Sequence, residues 1–345
     1  MEAQQAQLGE APQVVPAPAP AASPPAHLEL AGLADGDQVE GHYVVRDRSR
    51  RPTKRGGEWL AMKLSDRSGS VNAKTWDDIE KRFAIAEPGT VVRIRGRFEC
   101  SSQWGDALIV EAIAKAGEDH YDAATLLEVS PVPLERMEAD LADLLNTIQN
   151  RDLRMLLAKF FNPASPIYSR FRDAPAAKHY HQAYRHGLLE HTLSVAQGVS
   201  AAASFFPGID RDVAITGALL HDIGKLEAYN DDPLAIDLTD LGRLIGEIPL
   251  GYYRVRREIE AIEGFDPDLM WAVLHIILAH HGTLEHGSPV TPATREATLV
   301  HMMDNLGGKL GSFDRIERTL ADGQQWSGFD RGIDGSAYFR DRQAA

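Results

Sequence analysis

Two textures divide the chain. Between about residues 35 and 118, apolar residues come in short β-branched and aromatic runs, VEGHYVV, EWLAMKLSD, SVNAKTW, TVVRIRGRF and ALIVEAIAKA, separated by turn sequences such as SDRSGS and SQWGD. These runs predict five strands, and the helical DDIEKRFA falls between the third and the fourth. Five short strands with a helix in that place match a small Greek-key barrel, an OB-fold. Beyond residue 118 the period lengthens: VPLERMEADLADLLNTI and RDLRMLLAKFFN repeat apolar positions every three or four residues, and Pro163, Pro166 and Pro175 mark the breaks. Further helices are expected over 188–203, 211–228, 239–247, 253–262, 267–281 and 294–322. The expectation is a multidomain α and β protein: a five-stranded barrel over 35–118, a helical connector over 119–174, an all-α bundle over 175–322 and a C-terminal extension over 323–345.

Composition sharpens the two ends of this picture. Residues 1–34 are rich in Ala, Pro and Gln and too poor in branched apolar residues to pack, so a disordered, partly polyproline II tail is expected. At 345 residues and 43% hydrophobic content, the chain can hold two ordinary cores. No apolar run approaches the roughly 18 residues of a membrane span. The single cysteine, Cys100, excludes an intramolecular disulfide and fits a reducing cytoplasm; the start, MEAQQAQLGE, has neither the basic nor the apolar region of a secretory signal.

Charge changes the picture only locally. A formal net charge of −14 argues against coating nucleic acid through bulk positive potential. Inside the barrel segment the balance is near neutral, with 15 Lys and Arg against 14 Asp and Glu. Arg46, Arg48, Arg50, Arg51, Lys54 and Arg55 crowd the first hairpin, and Arg93, Arg95 and Arg97 share one face of a strand through period-2 spacing. Together with Lys63 and Trp59, Trp76 or Trp104, such a row can track a phosphate backbone while an aromatic ring stacks a base. The plainer reading of the same residues is a solvated outer face over core tryptophans.

The bundle carries polar residues where packing helices should be apolar. His191 follows HGLLE, His221 and Asp222 sit adjacent in ALLHDIGK, His280 and His281 end WAVLHIILAHH, and Asp304 lies in EATLVHMMDNL one turn after His301. A buried imidazole beside a carboxylate costs several kcal/mol per group unless something satisfies both. A single His-Asp pair is most often a satisfied ion pair; several such groups from separate helices of one bundle suit a metal.

The ordered series His191, His221-Asp222, His280-His281 and Asp304 resembles the HD-domain metal-dependent phosphohydrolases. More narrowly, LLEHTLSVA, LLHDIGK, HHGTLEHGSPVTPAT and HMMDNL behind a barrel are similar to the YhaM-type 3′-to-5′ exoribonuclease family, over roughly residues 37–320. The resemblance implies one metal held by His191, His221, Asp222 and Asp304, and a second sharing Asp222 with His280 and His281. It implies Lys225 beside the scissile phosphate. The sequence departs from the family at GEI, where Glu247 stands in place of a usual histidine, and at His181-Gln182, where a histidine pair is usual. A carboxylate at 247 is a harder ligand, favouring Mn²⁺ or Mg²⁺, with Co²⁺ and Fe²⁺ as further candidates.

Two such ions sharing Asp222 would activate a water and clamp the attacking and leaving oxygens of a phosphodiester, with no protein nucleophile. Asp222 and Lys225 are the catalytic candidates. The expected function is a cytoplasmic 3′-to-5′ exoribonuclease that releases 5′ mononucleotides from single-stranded RNA, with single-stranded DNA as a second substrate and self-association into a homo-oligomer. Two other readings remain open: a nucleotide or cyclic-dinucleotide phosphohydrolase with the barrel as accessory, and a single-strand-binding factor whose bundle has lost turnover through Glu247.

Overall fold

The computed structural model describes residues 28–340 except 54–55, 102–104, 123–124, 128–129, 178–181, 233, 235, 319 and 321–322. The Ala/Pro-rich tail up to residue 27, Lys54, Arg55, Trp104 and His181 therefore lie outside the described residues.

Five antiparallel-prone segments form the first unit: β1 (Gln38–Pro52), β2 (Glu58–Asp66), β3 (Gly69–Thr75), β4 (Val91–Glu99) and β5 (Ala107–Lys115), with α1 (Ile79–Ile85) between β3 and β4. They close in the order β1-β2-β3-β5-β4, all antiparallel except β3 with β5, which run parallel through Ala73–Leu108 and Lys74–Ile109. That is the OB-fold topology expected from the sequence. Alternation places Tyr43, Leu60, Leu64, Ile94 and Leu108 in the barrel interior, each fully buried. The first strand runs on past the expected end at residue 45, because its polar half, as far as Pro52, still pairs with β2 after a bulge between Val45 and Asp47.

The second unit is helical: α2 (Leu134–Asn146), α3 (Arg151–Phe161), α4 (Pro166–Asp173), α5 (Gly187–Ala203), α6 (Arg211–Leu220), α7 (Lys225–Ala228), α8 (Asp240–Leu244), α9 (Glu247–Glu260), α10 (Pro267–Ala279) and α11 (Arg295–Arg318). The segment expected to be a connector shares this core, where Leu141, Leu156, Phe160 and Phe171 pack with Leu188, Leu219 and Ile276. Helix α6 is buried on every side from Val213 to Leu220, which makes it the central helix. Caps set the starts: Asn150, Asp210 and Asp266 accept from the backbone N–H groups of the turns they precede.

Three expected helices break where chemistry is placed. The run over 211–228 divides at His221–Gly224, and the run over 267–281 ends at Ala279, with His280 as its cap. Glu247, expected at the end of a helix, instead opens α9, after Gly246 in a left-handed conformation (φ 85°). Arg46 Nη1 joins the two units by donating to the Leu234 carbonyl (2.9 Å) between α7 and α8, beside a small cluster of Val44, Val91 and Leu126. Among the described residues no helix is long and apolar enough to cross a membrane.

Candidate metal centre

Helix ends, not helix middles, deliver most of the polar groups. His221 and His280 cap the C-termini of α6 and α10, and each turns its ring back on its own last turn: Nδ1 donates to the carbonyl three residues earlier, Ala218 at 2.6 Å and Ile277 at 2.7 Å. A carbonyl can only accept, so the Nδ1 position carries the hydrogen and Nε2 is aimed inward with its lone pair free to ligate. His281 Nδ1 does the same toward the His286 carbonyl (2.9 Å). His301, one turn before Asp304, is no member of the cluster; its Nδ1 donates to the His280 carbonyl (2.8 Å) and fixes the backbone there.

The inward atoms fall into two groups. His191, His221 and Asp304 form one, and Glu247, His280 and His281 the other, the ligand atoms within each lying inside 4.8 Å of one another. Asp222 stands between them. Its Oδ2 is 3.3 Å from His191 Nε2 and 3.4 Å from His221 Nε2, while its Oδ1 is 3.6 Å from His280 Nε2. Asp304 Oδ1 is 3.1 Å from His191 Nε2, and Glu247 Oε1 is 3.4 Å from His281 Nε2. The structure thus brings together all seven residues expected as ligands, with one carboxylate reaching both groups. Lys225, at the start of α7, places Nζ 2.7 Å from Asp222 Oδ2.

Gly224 lets these parts meet. A Cβ there would lie 2.0 Å from the Glu247 carbonyl oxygen and 2.5 Å from the Gly251 N. Any side chain would therefore push the start of α9, and Glu247 with it, away from Asp222.

The donor set fits divalent cations. His280 Nε2 is buried with no hydrogen-bond partner among the described residues, and the Nε2 atoms of His191 and His221 approach to 3.3 Å, where two bare lone pairs would repel. Burial opposes ionisation of Asp222, yet Lys225, His221 and His191 outweigh it and hold its carboxyl well below the usual carboxylate range. Burial likewise opposes charge at Asp304 and Glu247, and the facing imidazoles, with Lys225 at Glu247, bring both below their ordinary values. Burial disfavours the His191 imidazolium, but Asp222 and Asp304 raise its pKa to about 9. A proton here holds the place that a metal would take. Burial lowers the pKa of His280, which keeps that imidazole a neutral donor.

A cavity of about 350 Å³ opens onto the cluster, and its walls include residues that sequence patterns did not single out: Tyr229, Asn305, Lys309, Ser312 and Gly332. The signal for three of them was present, since 305, 309 and 312 follow Asp304 at helical spacing on α11. Gly332 belongs to the C-terminal extension, whose Asp330 accepts two hydrogen bonds from Arg315 of α11 (both 2.9 Å).

The barrel residues divide. Trp59 and Trp76 stack at 6.2 Å between centroids, 25° between planes, and Trp76 is half exposed. The Arg51 guanidinium lies 5.8 Å from the Trp59 ring. Lys63 and Lys74 point outward from β2 and β3 on the same sheet face, in register with Asn72 and Ala61. The arginine row expected beside these rings is elsewhere: β1 separates β4 from β2 on one side of the barrel, and β5 separates it from β3 on the other. Arg93, Arg95 and Arg97 are solvent-facing there and paired with Glu40, Glu111 and Glu99. Arg48 and Arg50 lie over the Phe83 ring of α1, at 4.0 and 4.5 Å from its centroid. Alternation put the β4 arginines on one face correctly but could not say which strands flank it.

A family model, the HD domain, matches residues 188–308. The 3′-5′ exoribonuclease YhaM of Bacillus subtilis (strain 168) is 26% identical over 289 residues, covering 84% of this chain and 90% of that protein. The protein of the same name from Bacillus licheniformis is 27% identical over 290 residues with the same coverage. Among solved structures, the second OB-fold domain of replication protein A from Methanococcus maripaludis is 16% identical, covers 26% of this chain and 92% of that one, and has a TM-score of 0.21. The chain carries an OB-fold barrel, matches the HD-domain model over residues 188–308 and is similar over 84% of its length to proteins named 3′-5′ exoribonuclease YhaM.

Proposed function

We propose that this chain is a divalent-metal-dependent phosphodiesterase that shortens single-stranded RNA from its 3′ end, releasing 5′ mononucleotides and acting also on single-stranded DNA. The observation that carries the reading is Asp222, whose two oxygens face two separate sets of inward Nε2 atoms. His191, His221, Asp222 and Asp304 would hold one ion, and Asp222, Glu247, His280 and His281 the other; Mn²⁺ is the first candidate.

When bound, two divalent ions supply Lewis-acid polarisation of a phosphate oxygen and a water acidic enough to attack near neutral pH. The protein groups do the rest. Burial disfavours an ammonium at Lys225, but Asp222 and Glu247 hold the proton on and raise its pKa. Lys225 thus presents a fixed positive charge at the cavity wall, placed to offset charge growing on the non-bridging oxygens. Three carboxylates and one ammonium give the cluster a charge of −2 when its imidazoles are neutral. Two divalent ions reverse that to +2, a sign suited to a phosphodiester anion.

The stacked Trp59 and Trp76 with Lys63 and Lys74 offer the strand a sequence-tolerant platform of the kind that single-strand binders use. The relatives' name supports RNA as the main substrate. Glu247, within reach of His281, supports a complete second ligand set rather than a bundle that has lost turnover. Self-association fits the same reading: Met302, Leu306 and Leu310 repeat every four residues along α11 and are about half exposed.

The test is a 5′-labelled oligoribonucleotide incubated with the protein and Mn²⁺. A ladder shortening one nucleotide at a time is expected, abolished by chelation and by Asp222→Ala. A ladder that persists in Asp222→Ala overturns the assignment.

A further inference from the structure

The cavity beside the metal centre has a wall that the chemistry of one phosphate does not use. Along α11, residues 304, 305, 308, 309 and 312 all line it, a single stripe of the helix. Asp304 is at the inner end, 3.1 Å from His191. Ser312 is at the outer end, where its hydroxyl is turned back on the Gly308 carbonyl (3.0 Å). Lys309 lies between them on the solvent edge of the stripe, about 7.5 Å along the helix axis from Asp304 at the usual rise per residue.

Among the described residues two ammonium groups line this cavity, and they are differently placed. Lys225 is largely buried and committed to Asp222 at 2.7 Å. Lys309 is exposed, and it has no ion pair among the described residues. Lys309 is thus a cation with no ion pair among the described residues, on the wall of the pocket that opens onto the cluster. Set five residues beyond Asp304 on the same stripe, at its solvent edge and uncommitted to the cluster, it is placed to meet an anion other than the one at the metal centre.

We propose that Lys309 holds the phosphate one nucleotide upstream of the reacting one, with Asn305 beside it on the side of the intervening sugar. The inference rests on the phosphodiesterase reading above and adds a subsite to it. The cavity then recognises a strand end carrying at least two consecutive phosphates, and distinguishes an oligonucleotide from an isolated phosphodiester.

The test compares a dinucleotide with one internal phosphate, NpN, and the trinucleotide NpNpN, as substrates of the full chain with Mn²⁺. Wild type is expected to show a kcat/KM advantage of about tenfold or more for the trinucleotide, carried mainly by KM. Lys309→Ala should erase most of that ratio, Lys309→Arg should restore it, and Lys159→Ala, an exposed lysine on α3, should leave it as in wild type. The proposal is overturned if Lys309→Ala keeps the trinucleotide advantage, or if it lowers both substrates by the same factor. Failure of the underlying reading looks different: wild type would hydrolyse neither substrate with metal present.

Discussion

Replacing Asp222 with Asn keeps the shape of the side chain and removes its charge, so it isolates what the shared carboxylate contributes. The Lys225 side chain is 13% exposed and would lose an oxygen 2.7 Å away. Repulsion from Asp304 and Glu247 would be relieved, but the attractions to Lys225, His221 and His191 outweigh it, as the depressed pKa of Asp222 records against the cost of its burial. Removing one partner of a buried pair costs about 3–5 kcal/mol. Lys225 retains Glu247 as a neighbour, which favours the lower end, about 3 kcal/mol. In a domain of this size each kcal/mol moves Tm by ~2–4 °C, so Asp222→Asn should melt about 6–12 °C below wild type in chelator. Wild type should then gain about 2.7 kcal/mol when Mn²⁺ reaches a hundred times its Kd, and the variant little, having lost the charged carboxylate whose two oxygens face the two ligand sets. Differential scanning calorimetry in EDTA and through a Mn²⁺ titration reads both effects. An Asp222→Asn protein that melts within about 2 °C of wild type in EDTA and rises equally with metal would refute the shared-carboxylate argument.

Three further outcomes follow from the same geometry. Glu247→Gln should lower bound Mn²⁺ from about two ions per chain to about one, read by elemental analysis of dialysed protein, because His280 and His281 alone leave the second site without its own carboxylate. Since metal binds the neutral imidazole and His191 has a pKa of about 9, apparent metal affinity should climb about tenfold per pH unit up to about 9, with proton release seen by calorimetry in two buffers. The metal-free chain should run the opposite way: stability from the protonated His191 is complete below its ordinary pKa of 6.5 and is lost as pH rises through 9. Trp76→Ala should weaken oligonucleotide binding about tenfold or more by fluorescence anisotropy, whereas Arg93→Ala should change it far less, because Arg93 is already paired with Glu40.

The difference between what the sequence revealed and what it hid is physical. Period-2 runs announced the barrel because each strand buries one face, and polar candidates stood out in apolar runs such as ALLHDIGK, while the full ligand set, Glu247 included, was what the family resemblance implied. Helix ends were less legible. No local pattern says that α6 stops at Leu220, or that α9 then packs so close to Gly224 that a Cβ there would meet the Glu247 carbonyl. The packing of the Arg48 and Arg50 guanidiniums was hidden for a related reason, since their ring partner, Phe83, is more than thirty residues away. Lys309 and Gly332 reach the cavity only through the fold of α11 and the extension clipped to it by Arg315 and Asp330.

Glu247 in place of a histidine is the departure that gives the centre its character. At the first turn of α9 a carboxylate meets the positive end of the helix, and it faces the His281 imidazole, whose protonated form burial opposes and Glu247 favours. With histidine there, the cluster would stand at −1 and two divalent ions would bring it to +3; with glutamate the ions bring it to +2. The anion therefore strengthens the hold on hard cations while leaving less excess charge for substrate phosphate. On the proposed two-ion reading, an oxygen donor beside two imidazoles would suit ions that tolerate mixed O and N ligation, which would place Mn²⁺ ahead of softer metals at the second position and tie metal choice to one residue at the start of one helix.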